Sequence, residues 1–196
     1  ELQRMVTEIE GRDIGGSSGE RVDVSKEGLF FFLSRHEEAI PSGPAALDRI
    51  LALGNPDFVT HPKVQAFKAS HHGATITEIA ALAQSVGLPM QPAYRNPGAE
   101  PPPRSLLHWK LGHFSAIVKV DKDRGQYLIH DSILGQEIWL SRAVLDEEGT
   151  GYFLVPAGEL PKGFRKVGEK EASQVRGKCG PKPPPNPTGN NNPGGG

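Results

Sequence analysis

The sequence predicts an α+β fold, with helices in its first half and an antiparallel sheet in its second. Helical periodicity is confined to stretches before residue 90, while short alternating segments separated by turn residues fill 105–155. The 24 Gly and 18 Pro in 196 residues keep the helices few and short. One domain of about 150 residues accounts for most of a chain this long. Residues 1–28 are polar, and the Gly-Gly-Ser-Ser-Gly stretch from Gly15 to Gly19 reads as part of a flexible N-terminal arm. Residues 29–167 hold the periodic apolar pattern of the domain. Residues 168–196 run into a Gly/Pro/Asn-rich segment that cannot bury enough surface to offset its ordering entropy, so a disordered tail or linker is expected there.

Within the domain, Leu29-Phe30-Phe31-Phe32-Leu33 is a compact apolar cluster. A helix is predicted over Ala45–Gly54. Pro44 is tolerated in its first turn, Gly54 stops it, and Leu47, Ile50 and Leu51 form the apolar stripe. A second helix is predicted over Ile76–Val86, with Thr75 as cap, Glu78 completing a capping box and Gly87 as terminator. Strands are predicted at 105–108, 113–120, 126–130, 137–140 and 151–155, with Asp123-Arg124-Gly125 as a hairpin turn.

Lys and Arg number 22 against 23 Asp and Glu, a formal net charge of -1, so no overall field draws the chain to nucleic acid or an anionic membrane. No apolar run approaches the roughly 18 residues of a membrane span, and neither a nucleic-acid partner nor membrane insertion is expected. The one cysteine, Cys179, has no internal disulfide partner and falls in the tail, where it is expected to be exposed. His71-His72 and the other histidines lack a zinc-ligand spacing, and no glycine pattern suits a phosphate, so no metal or cofactor is expected.

Three residues carry possible chemistry. Ser42 stands just before the first helix, where backbone amides favour negative charge on a nucleophile or an attacked carbonyl oxygen; capping that helix is the plainer role for a serine there. If the strands from His113 and Gln126 are hairpin neighbours, His113 and Asp131 meet at one sheet edge. A carboxylate there orients the imidazole and steadies its charged form, as nucleophilic catalysis requires. The plainer alternative makes both of them hydrogen-bonded rim residues.

Pro41-Ser42-Gly43-Pro44-Ala45-Ala46-Leu47, with His113-Phe114 and Asp131, resembles the motifs of the C39 peptidases, the papain-like enzymes that cut after double glycines. The family's cysteine falls on Ser42, its histidine on His113 and its aspartate on Asp131, with Ser132 where proline is usual and Gly135 beyond. His108-Trp109 resembles a pair that precedes this block. The resemblance spans about residues 30–155 and is similar above all to C39-like domains of large bacterial repeat-containing proteins. It implies a papain-like fold, N-terminal helices packed on an antiparallel sheet, and a precursor that is secreted or on the cell surface. It also implies a peptide or protein substrate with small residues before the scissile bond, including the chain's own precursor.

Two positions depart from the pattern. Serine replaces the cysteine, and an oxygen nucleophile in a site arranged for sulfur is expected to be inactive or nearly so. His36 stands where the family places an oxyanion-stabilising glutamine. The chain is therefore expected to be either a Cys-to-Ser form of a peptidase or a naturally noncatalytic peptide-recognition module. The Gly194-Gly195-Gly196 end reads either as a plain glycine linker or as the product side of a self-processing junction.

Overall fold

The computed structural model describes residues 40–70, 72–131, 136–177 and 179–180. The arm at 1–28, the apolar cluster at 29–33, His36, Ser132, Gly135 and the Gly194–Gly196 end lie outside the described residues. The chain enters through a short strand β1 (Ile40–Pro41) into helix α1 (Ser42–Leu51), followed by α2 (Pro62–Gln65), β2 (Ala74–Thr75) and α3 (Ile76–Ser85). Strands β3 (Met90–Arg95), β4 (Ser105–Trp109), β5 (Phe114–Asp121), β6 (Gln126–Asp131) and β7 (Gln136–Ser141) come next. Helix α4 (Arg142–Glu148), β8 (Gly149–Pro156), β9 (Phe164–Lys166), α5 (Glu169–Ala172), β10 (Arg176–Gly177) and β11 (Cys179–Gly180) complete the order.

The main sheet has seven antiparallel strands in the order β7-β6-β5-β4-β8-β3-β9. Side chains alternate across it, so neighbours in sequence serve opposite faces. Leu106, Phe114, Ala116 and Leu154 pack with Leu47 and Ile50 of α1 and Ile76 and Ile79 of α3. Leu107, Ile117, Tyr127, Ile129, Phe153 and Val155 form a second cluster with Leu145 of α4. The β4 strand is buried along its whole length, because apolar layers cover both of its faces.

The helix expected from Ala45 begins three residues earlier. Pro41 is its N-cap and Ser42 its first helical residue. Thr75 and Glu78 form the expected capping box: the Thr75 side chain takes the Glu78 amide at 3.1 Å, and Glu78 takes the Thr75 amide at 2.7 Å. The hairpin turn at 123–125 joins β5 to β6 as read from the sequence.

Strand β3 has no counterpart in the sequence reading, since Pro92 breaks the strand signature. It is tolerated because β9 pairs only with Ala93 to Arg95, leaving Pro92 beyond its reach. The boundary expected at 167 is corrected. Ala172 and Val175 are buried in the first cluster, and the backbone pairs again at β10 and β11. Cys179, expected in a structureless tail, has its backbone paired with Pro41. No helix among the described residues is long and apolar enough to cross a membrane.

Candidate active site

The site forms where the start of α1 meets the edge of the sheet at the β4–β5 hairpin. Gly43 permits the close approach of α1 to α3: a Cβ there would run into the side chain of Ile79. Pro44 lacks an amide hydrogen, which the first turn of a helix does not need. The amides of that turn, Gly43 among them, face out past the helix end, and the helix dipole favours negative charge beside them.

Ser42 is 1% exposed. Its Oγ accepts the backbone amide of Phe114 at 3.1 Å, so the hydroxyl faces the sheet. The amide it accepts belongs to the residue that follows His113. A tight loop delivers the histidine: the Trp109 amide donates to the His113 carbonyl at 2.9 Å, and the Gly112 amide to the Trp109 carbonyl at 2.8 Å.

His113 and Asp131, eighteen residues apart, meet with Nε2 and Oδ2 separated by 2.9 Å. Each side chain is 13% exposed, largely shielded from water. The hydrogen-bonded register Ala116↔His130 sets Ser115 across from Asp131 one step further along. Ser115 donates its hydroxyl to the same carboxylate oxygen at 3.0 Å, and the Trp109 indole donates to Ser115 at 2.8 Å. The Trp109 ring lies 6.2 Å from that of His113, centroid to centroid. This support was not read from the sequence, although a serine two residues after His113 in a strand shares its face.

His108 lies on the opposite side of β4 from Trp109, with its ring 4.7 Å from that of Phe114. Its Nδ1 is 3.1 Å from the Thr150 hydroxyl and its Nε2 is 2.8 Å from the Arg176 carbonyl. A carbonyl has no proton to give, so Nε2 carries one. Burial pushes the His108 pKa below its ordinary value; the Arg176 carbonyl opposes this shift, and His113 reinforces it. His130, opposite Ala116, is likewise lowered by burial and by the nearby Arg49; Glu137 and Asp131 partly offset this. Arg49 itself bonds Glu137, tying α1 to β7 with Nη2 at 2.5 Å and Nε at 3.0 Å from one oxygen.

The structure thus pairs His113 with Asp131 and sets Ser42 Oγ against the amide of Phe114, the residue after His113. His36 and His71 lie outside the described residues. Among the described residues, no three His, Cys, Asp or Glu side chains are grouped to hold a metal ion.

A double glycine motif protease from an AMS/PCAT transporter, solved in complex with its leader peptide, superposes with a TM-score of 0.50. It is 22% identical over 61% of this chain and 87% of that one. The fold resembles that of the C39 peptidase-like domains. The N-terminal C39-like domain of a toxin secretion ATP-binding protein from Vibrio parahaemolyticus gives a TM-score of 0.45 at 16% identity, covering 65% of this chain and 98% of that domain. The peptidase domain of Streptococcus mutans ComA gives 0.39 at 18% identity, covering 62% and 99%. No family model matches the sequence, and no curated protein matches it. At this identity the C39-like likeness concerns the α+β fold, with helices packed against an antiparallel sheet.

Proposed function

We propose that this chain carries an acyl-transfer site of the cysteine-peptidase type, with residue 42 as the nucleophile position, His113 as the base and Asp131 as the group that orients it. The observation that carries this reading is the 2.9 Å contact between His113 Nε2 and Asp131 Oδ2 beside the start of the Ser42 helix. An ionised carboxylate only accepts, so the shared proton sits on Nε2, and neutral His113 keeps the lone pair of Nδ1 for a proton from the nucleophile. With cysteine at 42, the thiolate attacks a peptide carbonyl carbon and His113 passes the proton to the leaving amine. Water then releases the acyl group. Gly43 and its neighbours offer amides to the oxyanion.

Serine at 42 sets the activity of the chain as it stands. Its hydroxyl is far less acidic than a thiol and supplies almost no anion at neutral pH, so hydrolysis is expected to be very slow. The proposed substrate is an extended peptide with small residues before the cut, a class that includes segments of a secreted or surface precursor carrying this domain. The test compares Ser42→Cys with the parent on Gly-Gly peptides by mass spectrometry. Cleavage by Ser42→Cys that disappears on adding His113→Ala supports the reading; intact peptides with Ser42→Cys argue against it.

A second reading is a module that holds peptides without cutting them. The near-complete burial of Ser42, with an amide already on its Oγ, favours it. Peptides that bind parent and Ser42→Cys alike, uncut, would establish it.

A further inference from the structure

The backbone after α5 does not leave the molecule directly; it crosses the start of α1. At β10, Arg176 pairs with Thr75 and Gly177 with Ala74, and the Ile76 amide donates to the Val175 carbonyl at 2.8 Å. At β11, Cys179 pairs with Pro41 and Gly180 with Ile40. The two acceptor strands, β2 and β1, are the residues that lead into α3 and α1. Gly177, the last residue of β10, lies against Ser42. A Cβ on Gly177 would lie 2.9 Å from Ser42 Oγ and would overlap the Phe114 ring, so only glycine fits. His108 adds a bond from Nε2 to the Arg176 carbonyl at 2.8 Å.

This is the pattern by which a protein holds an extended peptide: main-chain pairing supplies affinity, and alternate residues are read by the walls. Val175 and Gly177 are buried, while Arg176 between them is exposed. The segment is anchored from behind. Glu171 of α5 takes Arg165 on both carboxylate oxygens, at 2.7 and 3.1 Å, and the Tyr152 hydroxyl at 2.9 Å.

We infer that β10 and β11 form a built-in peptide that occupies the cleft over Ser42, so that a peptide in trans binds only when this strap is displaced. The inference rests on reading the Ser42 corner as a peptide site. It assigns that site an occupant from the same chain, seated through a glycine.

Trypsin reads the strap directly, because the Arg176 side chain is exposed and only the backbone must be released. The Arg176–Gly177 bond of the parent is expected to resist cleavage, and Gly177→Leu to be cut there at least about tenfold faster, as the lost pairing frees the backbone. Cutting after Arg124, in the distant β5–β6 turn, should keep its parent rate, which separates strap release from unfolding. Equal rates at Arg176 in the two proteins would overturn the inference. As a second readout, a fluorescent peptide copying residues 174–181 is expected to bind Gly177→Leu at least about tenfold more tightly than the parent, a difference of one power of ten in Kd. No binding to the variant, or equal binding to both, would also overturn it. Peptide cleavage by Ser42→Cys is scored separately: protection at Arg176 without cleavage keeps the strap and removes the acyl-transfer reading, and cleavage without protection does the reverse.

Discussion

The Ser115 hydroxyl has one proton and gives it to Asp131, while its oxygen takes the Trp109 indole proton. Removing it leaves a buried indole donor without its acceptor and Asp131 with one bond fewer. Ser115→Ala is therefore expected to cost about 1–3 kcal/mol in urea unfolding. Trp109→Phe in the same chain should recover part of that loss, because the orphaned donor goes with it; a double-mutant cycle measures the coupling. In the Ser42→Cys background, Ser115→Ala should lower turnover more than it raises KM, since Asp131 then holds His113 less firmly. The meeting of His113 with Asp131 was legible because hairpin neighbours bring those two positions to one end of a strand pair. Ser115 was not, because a lone serine in a strand carries no signal until strand register shows what it faces.

At the scale of the element, α1 depends on how closely it lies against α3. Gly43→Ala places a methyl group where the Ile79 side chain already is, and overpacking of this kind costs about 1–3 kcal/mol. Ile79→Val in the same chain should return part of it, read as a shift in the urea midpoint without a change in slope. The α5 anchor makes a different prediction. Arg165 and Tyr152 hold the Glu171 pKa below its ordinary value, the Arg165 bonds first. Glu171→Gln, which keeps the shape and loses the charge, should speed trypsin cleavage at Arg176 several-fold while leaving the thermal midpoint nearly unchanged. The α3 capping box was fully legible, being a local pattern of Thr75 and Glu78 with a fixed spacing. Strand β3 was hidden by Pro92, and α5 and β10 by the disorder-like composition that follows them. In β3 and β10 long-range pairing overrides local preference, and α5 is held by the packing of Ala172 in the first cluster.

For the molecule as a whole, the two long helices and the strands after residue 104 were visible because periodicity changes between the halves of the chain, whereas Arg142–Glu148, a helix set among the strands, and the strand order were not. Whole-molecule stability should respond to acid through His108 and His130. Both have pKa values below the ordinary value of about 6.5, burial being the first cause in each. Between the folded and unfolded pKa values the unfolded chain binds more protons, so stability rises with pH in that window and is lost as pH falls through it. The thermal midpoint should drop from pH 7 to pH 5, and His108→Asn with His130→Asn should flatten that slope. A drop confined to below pH 4.5 would point to carboxylates instead, Glu171 among them.

A segment tied to its own cleft meets that cleft at an effective concentration in the millimolar range, whatever the dilution of the protein. If the chain carrying Ser42→Cys cuts itself beside Gly177, the reaction is first order: its half-life at nanomolar protein should equal that at micromolar protein. A substrate in trans, by contrast, must reach millimolar levels or bind far more tightly than the strap before it displaces it.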